Sequence, residues 1–157
     1  MSSLLKNIIA GVFIILLFVA GYFRETVFLV INSVINKTPY PYNTSYITPP
    51  SFLYQYSEST LLLLKWVLTF GFSFLFMLFA LGFLNFYFRT KKYNRFTIII
   101  YLVLIAISGL VSIFGIIFNN FDDVYTLSRF LIGLVQSPLI PLALFVLFYY
   151  KISTEEL

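Results

Sequence analysis

The sequence predicts an all-α, polytopic membrane protein with four transmembrane helices, and three observations predict it. Of 157 residues, 61% are hydrophobic and only 10% charged, whereas a soluble domain of this size needs far more charge to cover its surface. Several stretches are apolar all round and long enough for the ~30 Å hydrocarbon layer, which takes about 20 helical residues. Basic residues crowd into one short connection between those stretches, as the orientation bias of membrane proteins requires. The length leaves room for one helical bundle over 1–157 and no separate soluble domain.

The first span is read over 4–23, with IIAGVFIILLFVAGYF as its core. Lys6 ahead of an apolar run resembles a signal peptide, but the core is long and no A-x-A-like site follows before Arg24. After Arg24-Glu25 comes VFLVINSVIN, too short to cross alone. It either continues the first helix at a tilt or lies in the interface. Residues 24–60 are assigned to an extracytoplasmic region. Its proline and tyrosine density, KTPYPYNTSYITPPSFLYQYSEST, opposes regular helix and suits the headgroup level. Asn43-Thr44-Ser45 matches a glycosylation pattern that is read as chance.

The second span is expected over 61–88 and the third over 96–118, joined by RTKKYNR at 89–95. That connection holds Arg89, Lys91, Lys92 and Arg95 and no acid, so it is placed in the cytoplasm. Strict alternation then puts both termini inside, the N-in/C-in arrangement, and the 119–129 loop outside. A fourth span over 130–150 closes the chain.

Polar residues near the membrane are the candidates for function. Arg24 and Glu25 end the first span, Lys65 and Trp66 open the second, and Arg129 opens the fourth. Such charges either snorkel to the interface or form a polar cluster that pairs internally or receives a partner. Arg129, Gly133 and Gln136 share one helical face. Glycine there permits close approach, and a glutamine in apolar surroundings seeks a partner. Pro138 and Pro141 remove the N–H bonds to the carbonyls of Leu134 and Ser137, which predicts a kink and freed carbonyls needing a donor from a neighbouring helix or water. Ser108 and Ser112 form a small-xxx-small pair in the third span.

The chain has no cysteine and no histidine, which excludes thiol nucleophiles, imidazole bases and the usual zinc and haem sites. No acid lies mid-span, and adjacent Asp122 and Asp123 read as a solvated turn. No phosphate-binding glycine loop appears. The expectation is a protein without enzymatic activity, cofactor or nucleic-acid partner, surrounded by membrane lipid.

The order of these segments resembles a family. The R-E pair, a Tyr/Pro-rich loop, LLLLKWVLTFGFSFLF, NFYFRTKKYNRFTIIIYL and SRFLIGLVQSPLIPL are similar to the exosortase-associated small multi-spanning membrane proteins of Bacteroidota. The resemblance implies an accessory role in the inner membrane, beside a transpeptidase that processes sorting signals of exported proteins. Such transpeptidases carry a catalytic Cys, which this chain lacks. Partner or helix-packing contacts are assigned to Arg24, Glu25, Lys65, Trp66, Ser108, Ser112, Arg129, Gly133, Gln136 and Pro138, on physical grounds. The leading expectation is an accessory or structural subunit contacting another integral membrane protein. The alternative is a small transporter or channel working as a homo-oligomer, with the fourth helix lining the pathway.

Overall fold

The structure, a computed structural model, describes residues 3–37, 48–117 and 121–155. Residues 38–47 of the Pro/Tyr-rich loop, with Asn43-Thr44-Ser45, lie outside the described residues, as do the side chains of Asp122 and Asp123. Among the described residues every element is helical: α1 (Ser3–Asn36), a short 3-10 helix (Ser51–Gln55), α2 (Glu58–Phe88), α3 (Asn94–Ile117), α4 (Phe121–Val135) and α5 (Leu139–Glu155). Three helices are long and apolar enough to cross a membrane, and α4 with α5 makes a fourth if the bent pair counts as one span. This is consistent with a multi-pass membrane protein.

The first helix does not stop at Arg24. It runs unbroken for 34 residues, about 50 Å at roughly 1.5 Å per residue. Neither proline nor positive-φ glycine interrupts it, and it ends where Lys37 turns left-handed at φ 50°. VFLVINSVIN therefore extends the helix instead of forming a separate interfacial segment. Its apolar side buries Val30, Ile31 and Val34 against Leu53 of the 3-10 helix and Leu61 of α2, which explains why the extension stays folded onto the bundle. The end of the Pro/Tyr-rich stretch is thus structured and anchored by Leu53.

α2 starts at Glu58 behind Ser57, whose Oγ accepts the Thr60 N–H, and closes at Arg89 in a left-handed cap. The tight turn into α3 is filled with aromatic rings. Tyr93 stacks on Phe148 at 4.2 Å between centroids, Tyr87 meets Phe145 edge-on at 4.7 Å, and Phe13 lies against Phe83. The Lys6 ammonium sits 4.1 Å from the centroid of Tyr87. The start of α1, the α2–α3 turn and the later part of α5 therefore gather at one end of the bundle, termed the loop end below. A central layer of Leu17, Phe76, Ala80, Tyr101 and Val135 is completely buried.

The connection expected at 119–129 is largely helical, because α4 begins at Phe121. The pattern was read as a polar loop, but the segment forms an amphipathic helix that packs against α3. Where one kinked span was expected over 130–150, α4 and α5 are separate helices inclined by 55°. Their break falls at Gln136-Ser137-Pro138. The carbonyl of Leu134, released by Pro138, is met within the turn itself: Ser137 donates to it through N at 3.2 Å and Oγ at 2.7 Å. No neighbouring helix or water is required as donor. The same Oγ accepts the N–H of Leu139 at 3.3 Å and so caps α5. Pro141 falls in the first turn of α5, where a missing N–H removes no intrahelical bond.

Candidate functional site

In the half of the bundle away from the loop end, α1, α2, α3 and α4 surround a polar cavity of about 310 Å³. Its composition follows from helical periodicity. Arg24, Phe28 and Asn32 recur at four-residue steps on α1, and Leu62, Trp66 and Phe70 do so on α2. Lys65 and Thr69 form a neighbouring row of α2. Helix α3 contributes Ser108 and Ser112, and α4 contributes Ser128 and Arg129. Trp66 and Phe70 are 53% and 58% exposed and their rings stack at 6.4 Å, so the cavity reaches the surface at an apolar rim.

Behind the lining residues Arg24 and Thr69 lies a hydrogen-bond network centred on Gln136, which is 2% exposed. Its Oε1 accepts the Nε–H of Arg24 at 2.8 Å. Its Nε2 donates to the carbonyl of Thr69 at 2.7 Å and to Ser73 Oγ at 2.9 Å. Arginine offers only donors, so the oxygen of the amide must face Arg24 and both its N–H groups are then used. Ser73 Oγ donates in turn to the Thr69 carbonyl. One side chain at the α4–α5 break thus ties that break to α1 and α2. The break itself makes this reach available, because Gln136 sits past the last residue of α4.

A second network clamps α3 to α4. Ser108 Oγ donates to the carbonyl of Ser128 at 3.0 Å, and Ser128 Oγ donates to that of Ser108 at 2.9 Å. Ser112 Oγ lies 2.6 Å from Ser128 Oγ. All three hydroxyls are engaged between the two helices, and backbones can approach because no larger side chain intervenes.

Of the residues singled out from sequence, Arg24, Glu25, Lys65, Trp66, Ser108, Ser112 and Arg129 all line this one cavity, and Gln136 lies behind it, bonded to Arg24 and Thr69. Pro138 makes the break beside it. Gly133 does not join them: a Cβ there would meet no atom within 4 Å, so the close approach on this side is made at Ser128. Gly133→Ala is accordingly expected to be tolerated and to stabilise the fold by about 0.5–1 kcal/mol through reduced backbone freedom, which detergent unfolding would measure. The sequence pattern gave no sign of Ser128 or Thr69, and marked Ser73, with Gly71, Ala80 and Gly82, only as a small packing residue of the second span. Ser128 follows Asp122-Asp123 in a stretch whose composition predicts a loop, and its place against Ser108 and Ser112 only becomes visible once that segment is helical. Thr69 and Ser73 lie in a long apolar helix, one turn apart and on the face of Lys65, a spacing that could have marked them.

No family model, no curated protein and no solved structure matches the chain.

Proposed function

We propose that this chain is a non-enzymatic accessory subunit of an inner-membrane complex, with four spans, both termini and the basic 89–95 turn in the cytoplasm, and its polar cavity in the outer half of the bilayer. The observation that carries this reading is that, among the described residues, a fully buried apolar layer separates the cavity from the loop end. Beyond Gln136 lie the fully buried layer of Leu17, Phe76, Ala80, Tyr101 and Val135 and then the aromatic packing of the loop end. A group can enter beside Trp66 and Phe70, but among the described residues it meets that apolar layer and not a polar route. That favours docking over conduction.

The chemistry of the lining supports the absence of catalysis. The serine hydroxyls of α3 and α4 are engaged with one another, and the chain has no histidine or cysteine to activate them. The charge distribution supports the orientation, since Lys6, Arg89, Lys91, Lys92, Arg95 and Lys151 lie at or near helix ends of the loop end. The resemblance noted above nominates an exosortase-type protein-sorting transpeptidase as the partner.

Purification of the tagged full chain from its host in mild detergent, followed by mass spectrometry, tests the proposal. The expected result is an unrelated integral membrane protein at fixed stoichiometry. A homo-oligomer alone would overturn it in favour of a transporter assembled from several copies.

A further inference from the structure

Among the described residues, the cavity is lined by more positive than negative charge. Arg24, Lys65 and Arg129 line it with a single carboxylate, Glu25. Arg129 interacts electrostatically with both Arg24 and Lys65, so the three cations share one field. Glu25 is exposed and adjacent to Arg24 in the chain; it acts on Arg24 more strongly than Arg129 does, whereas Lys65 feels Arg129 with no carboxylate acting on it. Among the described residues, Lys65 and Arg129 hydrogen-bond to no acceptor. Arg24 uses only its Nε–H, on Gln136; a guanidinium has four more N–H groups to offer. Uncompensated charge within the hydrocarbon region costs from a few to more than ten kcal/mol, depending on depth. An anion entering the cavity would remove much of that cost.

The walls specify the kind of anion. Two guanidinium forks and an ammonium suit the oxygens of a phosphate, which arginine grips bidentately. The volume of about 310 Å³ lies at the lower end of the roughly 300–1,000 Å³ typical of small-molecule sites. That is room for a headgroup, not for a folded segment of protein. The rim is apolar and continuous with the helix surface: Leu62, Trp66 and Phe70 are all exposed along one face of α2, within the stretch long and apolar enough to cross a membrane. Two half-buried cations, Arg24 and Lys65, and an exposed one, Arg129, beside an apolar, laterally exposed rim match an amphiphile.

We infer that the cavity binds the phosphate headgroup of an anionic membrane lipid, with Arg24, Lys65 and Arg129 on the phosphate and an acyl chain along Leu62, Trp66 and Phe70. The inference deepens the proposed function by naming what the subunit's cavity holds.

Trp66 is the only tryptophan of the chain and stands at the rim, so its emission reports occupancy directly. The test is a titration of the purified, detergent-solubilised full chain with short-chain phosphatidylglycerol, short-chain phosphatidylcholine and inorganic phosphate in parallel. Phosphatidylglycerol should shift the emission saturably, and the Lys65→Gln/Arg129→Gln pair should weaken binding by roughly tenfold or more, the loss of two charge-assisted contacts. A Lys91→Gln/Arg95→Gln pair removes the same charge at the α2–α3 turn and should bind like the parent. Circular dichroism of each variant reports that the helices are intact.

Equal response to phosphatidylcholine, or unchanged affinity in the Lys65/Arg129 pair, would overturn the inference. Saturation by inorganic phosphate with no gain from the acyl chain would overturn the lipid assignment and make the site one for a free anion. Because the isolated chain is titrated, lipid binding can fail while a partner copurifies, and the reverse, so the two readings fall separately.

Discussion

Replacing Gln136 by leucine is expected to destabilise the fold by about 2–3 kcal/mol. An isolated hydrogen bond between membrane helices averages under about 1 kcal/mol, because the unfolded chain in the membrane also finds partners. Gln136 differs in making three bonds to three groups on two other helices, one of them charged. Leucine would leave the Nε–H of Arg24 without its acceptor in a part-buried setting, and an unmet charged donor costs more than a lost neutral bond. Unfolding followed by circular dichroism as sodium dodecyl sulfate is added to mixed micelles measures the effect. In the Arg24→Leu/Gln136→Leu double variant the loss should be smaller than the sum of the single losses, since the stranded donor is removed with its acceptor. Additive losses would mean that the two side chains do not depend on each other.

Ser128→Leu should be comparably severe, at about 2–4 kcal/mol, and by a different route. Ser128 is 5% exposed and its Oγ lies 2.6–3.0 Å from three oxygens of α3. A leucine cannot fit that gap without pushing α4 off α3, an overpacking penalty of about 1–3 kcal/mol, and it also strands the Ser112 hydroxyl. Ser128→Ala keeps the backbones together and loses only the hydroxyl contacts, so about 1 kcal/mol is expected. The same unfolding measurement separates the two. Equal losses in alanine and leucine would show that the helices are not held by close approach at this point.

Much of the fold was legible because it depends on local composition. Lipid solvent demands apolar surface all round and internally satisfied backbone, so long apolar runs read as helices with little ambiguity. α2 and α3 begin and end close to where sequence reading put them. What failed were boundaries set by contacts distant in sequence. Arg24-Glu25 looked like a terminus because charge is costly in a span, yet the helix continues. Gln136, 112 positions away, accepts from the arginine, and Leu53 and Leu61 cover the extension. The segment around Asp122 looked like a loop because it is polar. It is helical because its other face has α3 to lie on, with Ser128 supplying the contact.

The candidate site shows the same division. Residue types and helical spacing were enough to nominate Arg24, Lys65, Arg129 and Gln136, since polar groups in an apolar chain stand out against their surroundings. Spacing within a helix says which way a side chain faces but nothing about which helix it meets. The sequence alone therefore determined the solvent this protein requires, the helices and the short roster of side chains that need partners. Only the tertiary structure decided that the three cations share one cavity, that Gln136 joins Arg24 to Thr69 and Ser73, and that the serines of α3 and α4 satisfy each other. Helix formation is settled by bonds four residues apart, whereas the pairing of polar groups in lipid is settled by which helices pack together.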